Sequence, residues 1–121
     1  MDKKILVVDD AMFMRSIIRK ILKEAGYTQV WEAQDGEKAM ELLREVSPDL
    51  VLLDITMPGR SGLEVLEEML GLVPNVRVIM CSAVGQEMMI QKALTIGASD
   101  FIVKPFKADE FSRIVNRCLE Q

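Results

Sequence analysis

Two adjacent aspartates, Asp9 and Asp10, follow directly after an uninterrupted apolar run at residues 5–8. A buried ionised carboxylate is costly unless an opposite charge or hydrogen-bond donors meet it. The pair therefore either begins the next helix, with Asp10 as an ordinary N-cap, or belongs to a site that contains a cation. The pattern recurs at Asp54, which follows the apolar run at residues 50–53.

Two more apolar runs are followed by polar side chains that could complement these carboxylates. Ser82 follows residues 76–81, and Lys104 follows residues 101–103. Taken alone, each feature has an ordinary explanation: Asp54 could be a turn residue and Lys104 a solvated surface lysine. Four such features would have to coincide independently, so a shared site is the better interpretation.

Five apolar runs alternate with five helical patterns along the chain, and most of the runs are continuous rather than alternating. Continuous runs are typical of strands buried on both faces of a parallel sheet. Gly26, Pro48 and Gly97 stand where three helical patterns end, and Gly71 with Pro74 is expected to end another. Five βα units predict an α/β domain with helices on both faces of a parallel sheet. The predicted strands are residues 5–8, 30–33, 50–53, 76–81 and 101–103.

In such a sheet a site forms outside the carboxyl ends of the strands, so the polar groups at the strand ends should converge on one edge. Carboxylates gathered there repel: two charges about 4 Å apart cost on the order of 4 kcal/mol at an effective dielectric constant of about 20. A divalent cation such as Mg²⁺, held by a few carboxylates and several waters, would relieve this repulsion. Lys104 would then balance the charge that remains.

A site of this composition suits a phosphoryl group. The metal and Lys104 would neutralise phosphoryl oxygens, and Ser82 would donate its hydroxyl. A carboxylate can itself act as the nucleophile and become an aspartyl phosphate. We interpret Asp54 as the nucleophile because it stands alone at a strand end, and the paired Asp9 and Asp10 as metal ligands.

Composition limits the classes of function that remain. The length of 121 residues fits one domain, residues 1–121. The net charge of −4 argues against nucleic-acid binding, and the apolar runs are too short for a signal peptide or a membrane span, so a cytoplasmic protein is expected. The absence of histidine removes the usual general base and the commonest zinc ligand. Cys81 and Cys118 lie in apolar segments and are predicted to be buried free thiols.

The segments LVVDD, LVLLDITMPGRSG, VIMCSA and DFIVKPF follow one another in the order and spacing of the receiver domain of bacterial two-component response regulators. The chain resembles this family over its whole length. The resemblance implies a flavodoxin-like sheet with strand order 2-1-3-4-5. It also implies that Asp54 accepts a phosphoryl group from a histidine kinase. Mg²⁺ would be held by Asp9, Asp10, Asp54 and the backbone carbonyl of Thr56.

The resemblance also assigns roles outside the acidic cluster. Ser82 and Lys104 would engage the phosphoryl group, and the peptide bond between Lys104 and Pro105 would be cis. Ser82 and Phe101 would form a switch, with Phe101 expected as the nearest bulky side chain in the strand beside Ser82. Serine and phenylalanine replace the threonine and tyrosine that are frequent at these two positions.

Within the family, the segments VVDDAMFMR and KEAGY, and the end of the chain directly after the fifth helical pattern, favour a stand-alone chemotaxis regulator. Its expected partners are a histidine kinase, a flagellar motor switch protein and a phosphatase, with no nucleic acid and no membrane. The alternatives are a phosphorelay intermediate or a receiver domain cut from a larger response regulator. In all of these roles the chain would be no conventional enzyme, and it would catalyse only its own aspartyl phosphorylation and dephosphorylation.

Two other classes of protein fit the sequence less well. A magnesium phosphohydrolase with an aspartyl nucleophile would need a second aspartate two residues after Asp54, where Thr56 stands. A nucleotide-binding module would need a glycine-rich phosphate loop, but Asp9, Asp10 and Ala11 follow the first predicted strand.

Overall fold

Five parallel strands alternate with five helices in the structure, a computed structural model that describes residues 2–120. The strands are β1 (Lys4–Val8), β2 (Gln29–Ala33), β3 (Leu50–Asp54), β4 (Arg77–Ala83) and β5 (Asp100–Lys104). The helices are α1 (Met12–Glu24), α2 (Gly36–Val46), α3 (Gly62–Leu72), α4 (Glu87–Ile96) and α5 (Ala108–Glu120). No helix in this described part of the chain has both the length and the apolar character needed to cross a membrane.

The strands form one sheet in the order β2-β1-β3-β4-β5, so the predicted flavodoxin-like topology is confirmed. Successive residues of a strand face opposite sides of the sheet, and β3 is buried on both. Leu50 and Leu52 pack with α1 and α5, whereas Val51 and Leu53 pack with α2, α3 and α4. Because all five strands are parallel, their carboxyl ends lie along one edge of the sheet.

Strand β4 is longer than predicted, since it continues past Cys81 through Ser82 and Ala83. Both extra residues pair with β5: Ser82 is opposite Val103, and Ala83 is opposite Lys104. The polar side chain of Ser82 ends the apolar run but not the strand, because the backbone of β4 continues to pair with β5. Ser82 therefore lies inside the sheet rather than in the following loop.

The start of α3 is packed tightly against the end of β3. Ser61 and Glu64 form a capping box, in which each side chain accepts a hydrogen bond from the other residue's backbone N–H. The Gly62 N–H donates to the Ile55 carbonyl at 2.8 Å. A Cβ atom at Gly62 would lie only 2.2 Å from the backbone oxygen of Asp54, so glycine permits this close approach and fixes the backbone after Asp54.

The second glycine of α3, Gly71, was expected to end the helix, but α3 continues to Leu72 and has Val73 as its C-cap. A glycine inside a helix costs only about 1 kcal/mol relative to alanine. Packing of the apolar face, with Val65, Leu66 and Met69 buried, outweighs that cost. Apart from its chain neighbours and the backbone of its own helix, no atom of residues 2–120 lies within 4 Å of a Cβ atom built at Gly71.

Cys81 and Cys118 are buried free thiols, as the sequence predicted. Burial raises the pKa of the Cys81 thiol to about 12. The thiolate, which is the reactive form, is therefore scarcely populated at neutral pH. Cys81 acts as a small apolar residue of the core beneath the carboxyl edge of the sheet.

Replacing Gly62 by alanine should lower the free energy of unfolding by about 2–3 kcal/mol, because the new methyl group would overlap the backbone of β3. Gly71→Ala is a matched control in the same helix and should raise stability by about 0.5–1 kcal/mol. Urea denaturation followed by circular dichroism measures both changes. Equal stability of Gly62→Ala and the wild type would contradict the close packing described above.

Candidate functional site

The carboxylates predicted from the strand ends lie together at the carboxyl edge of the sheet. Asp9 follows β1 directly, and Asp54 is the last residue of β3. One carboxylate oxygen from each of Asp9, Asp10 and Asp54 lies within 4.8 Å of the other two. Asp9 and Asp54 are buried whereas Asp10 is exposed, so the cluster opens to solvent on the side of Asp10.

Lys104, the last residue of β5, brings its ammonium group to this cluster. Its Nζ donates a hydrogen bond to Oδ2 of Asp9 at 2.9 Å and lies 3.4 Å from Oδ2 of Asp54. Burial lowers the pKa of Lys104, but the hydrogen bond to Asp9 and the two carboxylate charges outweigh it and raise the pKa overall. Lys104 is thus a charged, partly buried member of the site rather than a solvated surface lysine. The peptide bond between Lys104 and Pro105 is cis.

The carboxyl group of Asp54 has its pKa raised, chiefly because burial disfavours the ionised form. The charge of Lys104 lowers the pKa and the neighbouring Asp9 raises it again. The backbone N–H of Thr56 donates to Oδ1 of Asp54 at 3.3 Å, which stabilises the ionised form only in part. Ionisation of Asp54 is therefore less favourable in the folded protein than in the unfolded chain, so at neutral pH this residue lowers the stability of the fold.

The donor set fits Mg²⁺. Carboxylate oxygens are the hard ligands that this ion prefers, and the exposed side at Asp10 leaves room for the waters that it retains. Three carboxylates and the single ammonium of Lys104 leave two negative charges, which a divalent cation would neutralise. The residues Asp9, Asp10 and Asp54 are thus suited to a divalent cation by charge and ligand type.

The turn between β1 and α1 leaves Asp10 outside the helix cap. The N-cap of α1 is Ala11, which has no side-chain capping bond, and its N–H donates to Oδ1 of Asp9 at 2.9 Å. Arg15 donates to the backbone carbonyl of Asp9 at 2.7 Å and pairs with Glu32 of β2 at 3.0 Å. The interpretation of Asp10 as an N-cap is therefore wrong. No pattern in the sequence singled out Arg15, whose only signal was its place one turn into α1.

Ser82 is fully buried beside the cluster. Within residues 2–120, its hydroxyl is the only buried side-chain polar group without a hydrogen-bond partner. Leaving a buried hydroxyl unpaired costs about 1–3 kcal/mol. Cys81, the residue before Ser82, is paired with Asp54, so Ser82 lies one position beyond the level of Asp54 along the sheet. An unused donor therefore lies close to the end of β3.

Gln86 connects the loops that follow β3 and β4, and no pattern in the sequence pointed to it. Its Oε1 accepts a hydrogen bond from the Ala83 N–H at 2.7 Å, and its Nε2 donates to Oγ1 of Thr56 at 2.7 Å. Ala83 follows Ser82, and Thr56 lies two residues after Asp54. A single side chain thus joins the backbone next to the unpaired hydroxyl with the loop next to Asp54.

Phe101 lies on β5 and is 37% exposed. It lines a cavity of about 380 Å³ between α4 and β5, together with Ala83, Ile90, Leu94 and Val103. In the sheet, Phe101 is opposite Met80, whereas Val103 is opposite Ser82. The register places the smaller Val103 directly opposite Ser82 and Phe101 two residues earlier in β5, so the expectation that Phe101 is the nearest bulky residue of β5 to Ser82 stays a prediction.

Known proteins share both the sequence pattern and the fold. The family model of the response regulator receiver domain matches residues 5–116. The chemotaxis protein CheY of Bacillus subtilis is 48% identical over 98% of this chain and 99% of the relative. Sporulation initiation phosphotransferase F of the same organism is 38% identical over 98% of this chain and 95% of the relative. The crystal structure of the receiver domain of NtrX from Brucella abortus matches with a TM-score of 0.94 at 37% identity, covering 98% of this chain and 99% of that one.

Mg²⁺ should raise the melting temperature, because an ion bound by the folded state alone stabilises it by RT ln(1 + [L]/Kd), about 2.7 kcal/mol at 100 times Kd. Differential scanning fluorimetry with MgCl₂, against KCl of equal ionic strength, measures the shift. Asp10→Asn removes the exposed carboxylate and should reduce the shift without unfolding the protein. A wild-type midpoint that does not move at millimolar Mg²⁺ would count against a metal site.

Without Mg²⁺, Asp54→Asn should be more stable than the wild type at neutral pH. The pKa of Asp54 is raised in the folded state, so its charged form is disfavoured there, and asparagine removes the charge while keeping the shape. The advantage should fade as the pH falls through the folded-state pKa of Asp54, because the wild-type carboxyl then takes up a proton. Glu67→Gln, at an exposed carboxylate of α3, is the control and should change stability by less than about 0.5 kcal/mol. A less stable Asp54→Asn variant would contradict the charge balance described here.

Proposed function

The chain belongs to the response regulator receiver family, and we propose that it is a signalling switch whose Asp54 accepts a phosphoryl group from a histidine kinase. One observation carries the proposal. Asp54 is a buried carboxylate that lies 3.4 Å from the Lys104 ammonium and close along the sheet to the unpaired hydroxyl of Ser82. A nucleophile, a cation and a hydroxyl donor are thus gathered at one edge of the sheet.

In the proposed transfer, an oxygen of Asp54 forms a bond to phosphorus while the bond from phosphorus to the donor's histidine nitrogen breaks. The electron pair of the broken bond stays on that nitrogen. Lys104 already contacts this carboxylate, so its ammonium is positioned to pair with the phosphoryl oxygens. Mg²⁺ bound by Asp9, Asp10, Asp54 and the carbonyl of Thr56 would supply the positive charge that lets an anionic donor approach a carboxylate.

Phosphorylation would change the charge balance on which the site depends. A phosphoryl group adds nearly one negative charge and several acceptor oxygens. Ser82 and Lys104 would turn toward those oxygens, and the end of β4 would move with Ser82. The movement would reach the cavity between α4 and β5 where Phe101 lies. Met88, which is 78% exposed on α4, adds apolar surface to the same side, where a partner protein would bind.

Similarity to known regulators supports a role in chemotaxis. The relationship to CheY of Bacillus subtilis spans nearly the whole of both chains. We therefore propose a cytoplasmic regulator that binds a flagellar motor switch protein when phosphorylated, with a phosphatase as a further partner. The similarity to sporulation initiation phosphotransferase F makes a phosphorelay intermediate the second candidate. It comes second because the identity to that protein is 38%, against 48% for CheY of Bacillus subtilis.

Incubation with acetyl phosphate and Mg²⁺ should phosphorylate the wild type at Asp54. The variant Asp54→Asn should gain no phosphoryl mass, because the amide cannot act as the nucleophile. Intact-mass spectrometry under mild conditions measures the added group, and Asp109→Asn, in the first turn of α5, is a control that should be labelled fully. Full labelling of Asp54→Asn would overturn the assignment of the acceptor.

Beryllofluoride, a mimic of the phosphoryl group, should strengthen binding of the wild type to the flagellar motor switch protein. Ser82→Ala lacks the hydroxyl that is proposed to turn toward the phosphoryl oxygens. The variant should therefore bind the mimic but gain less affinity for the partner. Surface plasmon resonance with the purified motor switch protein measures both affinities. Equal strengthening in the two proteins would show that Ser82 does not connect Asp54 to the binding surface.

A further inference from the structure

Gln86 joins the end of β4 to the loop after β3, and we propose that it acts as a latch that holds the resting state. The latch is the pair of hydrogen bonds that Gln86 accepts from the Ala83 N–H and donates to the Thr56 hydroxyl oxygen. It would oppose the displacement of Ser82 toward a phosphoryl group on Asp54. Gln86 is thus a positioning residue, and its role rests on the proposed function of Asp54.

The chemistry of the two bonds fixes the orientation of the amide group. A backbone N–H can only donate, so the Gln86 oxygen must face Ala83, at 2.7 Å. The amide nitrogen then donates to the hydroxyl oxygen of Thr56, also at 2.7 Å. Gln86 is the N-cap residue of α4, yet its side chain makes no capping bond to that helix. Instead, the side chain links the end of β4 to Thr56, which lies 30 residues before Gln86 in the sequence.

The latch lies beside the Ser82 hydroxyl, which is the donor available to a phosphoryl group on Asp54. The Ser82 hydroxyl is fully buried and, in the described part of the chain, has no hydrogen-bond partner. Ala83 is the next residue and the last of β4, where pairing with β5 ends. If Ser82 moves toward an acceptor on Asp54, the backbone at Ala83 must move with it. The bond from Ala83 to Gln86 would then lengthen or break.

The other end of the latch is connected to Asp54 itself. The side-chain hydroxyl of Thr56 accepts a hydrogen bond from the Gln86 amide, and the backbone N–H of Thr56 donates one to Oδ1 of Asp54. A phosphoryl group on Asp54 would alter the carboxylate that Thr56 contacts. Both anchors of Gln86 would therefore be displaced by the same event, so the latch favours the resting state over the phosphorylated one. That difference between states is what shifts a conformational equilibrium.

The size of the effect follows from the two hydrogen bonds. Their loss should change the equilibrium between the resting and activated states by roughly 5- to 30-fold. Gln86→Met keeps the length of the side chain and removes the amide. Gln91→Met makes the same exchange at an exposed glutamine further along α4 and is the matched control. Thr56→Val removes only the bond to the threonine hydroxyl.

The experiment measures two affinities in each protein by isothermal titration calorimetry: that for Mg²⁺ alone, and that for beryllofluoride at saturating Mg²⁺. Gln86→Met should bind beryllofluoride about 5- to 30-fold more tightly than the wild type, with unchanged affinity for Mg²⁺. Thr56→Val should show a smaller gain in the same direction. Gln91→Met should match the wild type.

The possible results separate the latch from the proposed function. Unchanged or weaker binding of beryllofluoride by Gln86→Met, with normal binding by the wild type, would overturn the latch and leave Asp54 as the acceptor. A parallel loss of Mg²⁺ affinity and beryllofluoride affinity would indicate a general structural role and would also overturn it. Failure of the wild type to bind beryllofluoride would overturn the proposed function and the latch together.

Discussion

Repulsion between carboxylates that are buried at the edge of a parallel sheet is the constraint on which this structure depends. Lys104 is hydrogen-bonded to Asp9 and lies 3.4 Å from Asp54, but one ammonium cannot neutralise three carboxylates. The pKa of Asp54 is raised chiefly because burial disfavours its ionised form, and the neighbouring Asp9 raises it further. A site with this excess of negative charge would gain stability from added positive charge, and a divalent cation fits it by charge and ligand type.

Different contacts hold the backbone on the two sides of the site. On the side of β3, Gly62 is packed directly against the backbone of Asp54, and the capping box of α3 holds that contact in place. On the side of β4, strand pairing ends at Ala83, and the next connection is the side chain of Gln86. If Asp54 is the phosphoryl acceptor proposed above, the packing of Gly62 would keep it in place while the side-chain link at the end of β4 breaks, and a switch needs only one side to move.

The sequence by itself determined the elements and the positions of their charged ends. Burial on both faces produces continuous apolar runs, and helices produce a period near 3.6, so five βα units could be identified without tertiary information. The rule that polar groups converge at the carboxyl ends of parallel strands then predicted the grouping of Asp9, Asp54 and Lys104. These features depend on residue type and on spacing within one segment, which the sequence contains directly.

Only the tertiary structure decided the contacts between segments. The extension of β4 through Ser82, and the place of Val103 rather than Phe101 beside it, depend on the register between two strands. The link made by Gln86 depends on a side-chain conformation that spans two loops. A hydrogen bond to a backbone N–H requires no particular residue type at the donor, so it leaves no pattern in the sequence. Such contacts exist only after packing has brought distant segments together.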